Sequence, residues 1–315
     1  MNSADLQKLA ERTRSMREAG FALLIASGVL ALFLFLPRLS KDPAPAPVAI
    51  ATSTTPDAFA NIPLEAKAAV VYDTVTGKIL YAKNADAQLP LASLTKLLTV
   101  YAAFAELSPD TPITIPADAT HLDAPHAFSA GQVFTLAELT RLTLTASLND
   151  GATAIAEATA ARENQTTNGA LAGAAAALDL SQTYALNGSG LDVSTAISGG
   201  YGSARDLAKL AGALAAEAPT IVAATTHETT TGVSLAGTHF SVKNTDPMVG
   251  TIPRLLLSKT GYTDLAGGNL ALVFDAGIRH PIAVVVLGST EKSRFTDGTA
   301  LVAATLAHFA GVSSL

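Results

Sequence analysis

The chain has 315 residues, 49% of them hydrophobic and 15% charged, with a formal net charge of −6. Charged residues make up about a quarter of an average soluble domain, so this chain is depleted in them, and it has no basic cluster of the kind that nucleic acid requires. Cysteine is absent, which excludes a disulfide, a thiolate-bound metal and a thiol nucleophile.

Residues 20–36 form 17 consecutive positions without a charge, GFALLIASGVLALFLFL, the short end of what spans roughly 30 Å of hydrocarbon. Ahead of them stand Lys8, Arg12, Arg14 and Arg17, and behind them only Arg38 and Lys41 are near. That asymmetry predicts a cytoplasmic tail (1–19), an uncleaved transmembrane anchor (20–37) and an exported remainder. A cleaved signal peptide fits less well, because Ala44-Pro45-Ala46 is followed by Pro47 and later small-residue sites lie far downstream. Residues 38–63 are rich in Pro, Ala, Ser and Thr, the composition of an extended linker. A folded domain is expected over 64–315.

Within that domain, residues 68–72 and 78–81, either side of Thr76-Gly77, read as a β-hairpin. From Ala92 the period becomes helical, with Leu94, Leu97, Leu98, Tyr101 and Ala105 on one face. Thr135 and Glu138 form a capping box ahead of Leu136, Leu139 and Leu142. That helix is predicted to break at Ser147-Leu148-Asn149, with Asp150 capping a further one over 151–161. Ala-rich helices follow near 169–178 and 204–217, then strands over 255–260, 269–275 and 282–288, and a last helix over 297–310. Strands at both ends with helices between predict an α+β fold, its antiparallel sheet completed by distant segments around a helical insertion. Gly199-Gly200-Tyr201-Gly202 reads as a turn, the segment from His121 to His126 as a solvated loop, and Glu157 as a helix surface residue.

Three short segments carry chemistry. Ser93-Leu94-Thr95-Lys96 is an S-x-x-K; on a helix, residues three apart share a face, so the amine can reach the hydroxyl. A serine needs a base to act as a nucleophile, and a lysine serves only when burial or a neighbouring cation lowers its pKa. Ser147-Leu148-Asn149 offers a hydroxyl for proton relay and an amide to hold the lysine. Lys259-Thr260-Gly261 closes a strand with a cation, a hydroxyl and a residue without a side chain, so that a substrate can lie along the edge. Each segment alone is common. In this order and spacing they match the motif set of penicillin-binding proteins and β-lactamases.

With these go Thr76-Gly77-Lys78-Ile79-Leu80, Lys83-Asn84-Ala85-Asp86, Leu89-Pro90-Leu91-Ala92, Gly190-Leu191-Asp192, Ser203-Ala204-Arg205-Asp206, Lys243-Asn244-Thr245-Asp246-Pro247 and Tyr262-Thr263-Asp264. On these segments the chain resembles the low-molecular-mass D-alanyl-D-alanine carboxypeptidases, the S11 family of serine peptidases. The resemblance implies a penicillin-binding transpeptidase/β-lactamase-like fold, an antiparallel sheet flanked by helices with a helical subdomain, here preceded by one transmembrane helix. It implies Ser93 as nucleophile, Lys96 as base, and Ser147 and Asn149 as their partners. Lys259, Thr260, Gly261 and Tyr262 would bind substrate, the N–H groups of Ser93 and Tyr262 would form the oxyanion hole, and Arg294 would hold the terminal carboxylate.

No metal or organic cofactor is implied. The expected partners are peptidoglycan stem peptides, β-lactams as covalent inhibitors and the cell membrane, crossed once, with the catalytic domain outside. Leu148 stands where relatives have glycine, which predicts a narrower pocket wall beside Asn149. The alternatives are a β-lactamase, a penicillin-binding sensor that never turns over, and an endopeptidase acting on cross-links. The first is disfavoured because Thr183 stands where the deacylating glutamate of a class A enzyme is needed.

Overall fold

The computed structural model describes residues 3–35 and 57–311. The chain divides between residues 53 and 54 into two units. The first contains one 33-residue helix, α1 (Ser3–Phe35), so the expected tail and the start of the expected anchor belong to a single element. Its apolar residues Phe21, Leu23, Leu24, Ile25 and Leu30 are exposed. Leu36 and Pro37 of the expected anchor, and most of the expected linker, lie outside the described residues. Among the described residues no single helix is long and apolar enough to cross a membrane.

The second unit runs through β1 (Ala68–Asp73), β2 (Ile79–Lys83), β3 (Leu89–Pro90), α2 (Thr95–Glu106), β4 (Pro112–Thr114), β5 (Val133–Thr135), α3 (Leu136–Ala146), α4 (Asn149–Glu163) and α5 (Thr167–Ala177). It continues with β6 (Tyr184–Ala185), β7 (Gly200–Gly202), α6 (Ala204–Glu217), α7 (Pro219–Val222), β8 (Thr229–Val233), β9 (His239–Lys243), β10 (Leu255–Thr263), β11 (Gly267–Asp275), β12 (Pro281–Ser289) and α8 (Ser293–Ala310).

The main sheet has the order β10-β11-β12-β1-β2 and is antiparallel throughout. The N-terminal hairpin therefore joins three strands from the far end of the chain, as the sequence predicts. Alternation sorts its residues onto two faces. Ala68, Val70, Ala271, Val273, Ala283 and Val285 enter a core shared with residues of α2 and α6, among them Leu97, Leu98, Leu207 and Leu210. Ala69, Val71, Leu270, Leu272, Phe274, Ile282, Val284 and Val286 enter a second core with Leu301 and Val302 of α8. A third core fills the helical part, where Phe128, Phe134, Leu139, Leu142 and Ile155 meet, with the ring of Phe240 against Phe128 and Phe134.

Several boundaries differ from the sequence reading. Ala58 and Phe59 are buried and Phe59 belongs to the α8-side core, so the folded unit begins before residue 64. Asp150 does not cap α4: the N-cap is Leu148, without a side-chain bond, because the carboxylate is engaged elsewhere, as described below. The β8-β9 hairpin was not expected: threonine-rich β8 carries no apolar alternation, and the alternating Phe240 and Val242 of β9 span only five residues. Gly200–Gly202 forms a strand between β3 and β6 rather than a free turn. Its glycines are required by proximity: a Cβ on Gly200 would overlap the Thr95 side chain.

Candidate active site

Ser93 lies on a 3-10 turn (Ala92–Leu94) leading into α2, not in the first turn of an α-helix as expected. The turn is set by Ala92, fully buried with φ +47, a left-handed conformation that costs a non-glycine residue about 1–2 kcal/mol. Such strain persists where the surroundings over-determine it. Here Leu91 N–H donates to Gly200 O at 2.9 Å on one side of the turn. On the other, strand β10 lies so close that a Cβ on Gly261 would stand 2.9 Å from Leu91 O and 3.2 Å from Ser93 N. Gly261 thus admits the strand to the turn. Asn269 ties the layers together, donating through Nδ2 to Pro90 O (3.0 Å) and accepting at Oδ1 from Gly288 N–H (2.7 Å).

Lys96, one α-helical step further, is fully buried. Its Nζ is 2.8 Å from Ser93 Oγ, 2.7 Å from Asn149 Oδ1 and 2.7 Å from Ser189 O. The last two atoms only accept, so they take two N–H groups. A neutral amine then has its lone pair left for the third direction, towards the Ser93 hydroxyl. The electrostatics favour that form: burial first, then the nearby Lys259 cation, hold the Lys96 pKa well below the usual lysine value, against an opposing pull from Asp150.

Ser147 terminates α3 in the left-handed conformation, φ +60, which is the helix break the sequence predicts. Its Oγ accepts from Lys259 Nζ at 2.9 Å, and the same ammonium donates to Thr260 O at 2.8 Å. Lys259 is buried; desolvation, then the charge of Arg294, push its pKa down to about 7. Thr260 and Thr245 hydroxyls are 2.6 Å apart. Arg294 stands on the first turn of α8, largely buried, and donates through NH1 to Gly261 O at 2.8 Å; its Nε has no partner. A cavity of about 670 Å3 opens beside it, lined by Lys243, Asn244, Thr245, Asp246 and Lys292 among others. Tyr262, at the end of β10, is 46% exposed.

The fold thus brings Ser93, Lys96 and Asn149 together, and joins Ser147 to the Lys259–Gly261 strand with Arg294 behind it. The expected narrowing by Leu148 is not found: its side chain is buried in the third core with Phe128 and Leu139. Sequence reading missed Ser189, whose contribution is a backbone carbonyl and so has no side-chain signature. It also missed Asn187, whose Oδ1 accepts from the N–H groups of Ser189 (3.2 Å) and Gly190 (2.7 Å) and so builds the turn that offers this carbonyl. Among the described residues no group of three or more metal-ligating side chains is arranged to hold an ion.

The Lys96–Lys259 proximity gives a signed expectation. Below about pH 7 Lys259 carries its charge, which adds to burial in opposing protonation of Lys96. In Lys259→Gln that repulsion is lost, so the Lys96 pKa rises and the acid limb of the pH–rate profile moves to higher pH. Stopped-flow acylation by a chromogenic cephalosporin between pH 5 and 9 measures this; an unmoved limb contradicts the coupling.

A family profile described as D-alanyl-D-alanine carboxypeptidase, peptidase S11, matches residues 52–291. The chain is 28% identical over 263 residues to a D-alanyl-D-alanine endopeptidase of Pseudomonas aeruginosa, covering 81% of this chain and 83% of that one. It is 28% identical over 296 residues to the carboxypeptidase DacC of Escherichia coli, covering 88% and 67%. Penicillin-binding protein D2 of Listeria monocytogenes, solved in its ampicillin-bound form, superposes with a TM-score of 0.66 at 27% identity over 78% of this chain and 98% of its own. With the profile covering most of the folded unit and the same α+β architecture in a solved relative, the chain belongs to the D-alanyl-D-alanine carboxypeptidase family of S11 serine peptidases.

Proposed function

We propose that the protein cleaves the peptide bond ahead of a terminal D-alanine in peptidoglycan stem peptides through an acyl-enzyme on Ser93. The observation that carries this reading is the environment of Lys96: a buried amine with two fixed acceptors and its remaining valence directed at a serine hydroxyl. Ser93 Oγ attacks the scissile carbonyl while Lys96 takes its proton. The C–N bond then breaks, and the departing amine takes up the proton that Lys96 had accepted, relayed by the Ser147 hydroxyl that Lys259 holds in place, so Lys96 is neutral again. Water attacks the ester, Lys96 receives its proton, and Ser93 regains its own as the acid is released. The N–H groups of Ser93 and Tyr262 stabilise the tetrahedral oxygen. Arg294 and Lys259 attract the terminal carboxylate.

A β-lactam acylates the same oxygen by ring opening; solved forms of the Listeria relative are described as bound to ampicillin and cefotaxime. The apolar stretch of α1, exposed on all the described side chains and preceded by basic residues, supports a single-pass anchor that leaves the catalytic domain outside the cell. The Pseudomonas relative's name supports a second reading, cleavage of cross-links, which uses the same residues. Incubation with a peptide ending in D-Ala-D-Ala, and separately with purified cross-linked muropeptide dimers, separates the two. Release of free D-alanine from the first is expected. Conversion of dimers to monomers without D-alanine release assigns the endopeptidase, and neither product overturns the proposal.

A further inference from the structure

Lys96 depends on Asn149, and Asn149 in turn rests on a carboxylate that the proposed reaction does not use. Asp150 is fully buried on the first turn of α4. Its Oδ2 accepts from the N–H groups of Ala127 and Phe128, both at 2.8 Å, and its Oδ1 from Gly151 N–H at 2.8 Å. The loop clamped in this way returns two carbonyls to the neighbouring residue. Asp123 O accepts from Asn149 Nδ2 at 2.8 Å, and Pro125 O accepts from Asn149 N–H at 2.7 Å. Because Asp123 O can only accept, the amide nitrogen must face it, and the amide oxygen must face Lys96.

We propose that Asp150 is a positioning residue for the general base: it clamps the 123–128 loop, the loop fixes the amide of Asn149, and Asn149 fixes Lys96. This rests on the reading of Ser93 and Lys96 given above. The carboxylate also acts through its charge, opposing the burial and the Lys259 cation that depress the Lys96 pKa. Of the other charged groups on α2 and the helices packed against it, Glu106 of α2, Glu157 and Arg162 of α4 and Glu217 of α6 are exposed, and Glu163 closes the far end of α4. Glu138 and Arg141 of α3 pair with each other, Arg205 of α6 pairs with Asp86, and Asp206 accepts from Gln182 N–H and Thr183 Oγ1. Lys209 of α6 acts on Asp86, and α5 carries no titratable residue.

Two effects follow with separable signatures. In Asp150→Asn the negative charge is gone, so Lys96 stays neutral to lower pH and the acid limb of the acylation profile moves down, opposite to the shift expected for Lys259→Gln. In Asp150→Glu the charge remains but the carboxylate is displaced. The limb then stays close to its place, while the plateau rate falls about tenfold, as small misplacements of a reacting group do. That loss should largely vanish when Asp150→Glu is made on top of Asn149→Ala, since the path through Asn149 is already cut.

Acylation of the full-length protein by a fluorescent penicillin, followed from pH 5 to 9, tests all of this. A limb that does not move in Asp150→Asn, or full additivity of Asp150→Glu with Asn149→Ala, overturns the proposal. The second comparison stands by itself if Asp150→Asn does not fold. A wild-type protein that is not acylated, or is acylated equally after Ser93→Ala, instead overturns the assignment of Ser93.

Discussion

Ser93→Ala and Lys96→Met should each lower the rate of acylation by on the order of 10⁴-fold or more, as loss of a nucleophile or its base does in other serine peptidases. The two losses arise differently. Ser93→Ala removes the attacking oxygen and leaves the surrounding donors in place, so substrate binding should persist while turnover stops. Lys96→Met keeps most of the buried volume but takes the donor away from Asn149 Oδ1 and Ser189 O. It leaves the serine without a base, and two buried acceptors unsatisfied at about 1–3 kcal/mol each. Ser93→Ala should therefore unfold at close to the wild-type temperature and Lys96→Met distinctly lower. Removing both groups should cost little more activity than removing either, because they act as a unit. Pre-steady-state measurement with a chromogenic cephalosporin, with thermal unfolding alongside, checks each statement. Residual acylation within tenfold of wild type in either variant contradicts the assignment.

The largest effect of a single methyl group is expected at Gly190. Its φ is +78, and a Cβ there would overlap the carbonyl of Ala92, the residue before the nucleophile. The obstacle is backbone and cannot rotate away. Gly190→Ala should lose about 1–2 kcal/mol to the left-handed conformation and about 1–3 kcal/mol to overpacking. Because the displaced atom belongs to the Ser93 turn, acylation should fall with stability. Gly173 supplies the control: it sits within α5 with nothing near its would-be Cβ. Gly173→Ala should be neutral or stabilise by about 0.5–1 kcal/mol with activity intact. Urea titration and penicillin labelling of both variants report this. A Gly190→Ala protein of wild-type stability and labelling would falsify the close approach.

The sequence made the antiparallel sheet legible because its central strands are buried on both faces, so 269–275 and 282–288 read as apolar runs, while 255–260 shows itself only by Leu255, Leu256 and Leu257 ahead of the Lys259 segment. The side chains of the site were legible for another reason: Ser93 with Lys96, Ser147 with Asn149, and Lys259 to Gly261 lie in short contiguous segments. The supporting layer was not. Ser189 O, Asp123 O and Pro125 O act through the backbone, where residue type carries no signal. Asp150 looked like a helix cap because an acidic residue at a helix start usually is one; only the fold brings the Ala127 and Phe128 N–H groups to it. Leu148 was misjudged for the same reason. Its neighbours in sequence are in the cleft, but the left-handed turn at Ser147 is followed by a side chain that enters the core.

The buried amine at residue 96 makes residue 93 a nucleophile. Intact-mass and peptide-level mass spectrometry after brief exposure to benzylpenicillin tests it most directly. One adduct per chain, on the oxygen of Ser93 and absent from Lys96→Met, is the predicted result. An adduct on another residue, or on Ser93 with equal speed in Lys96→Met, would contradict it.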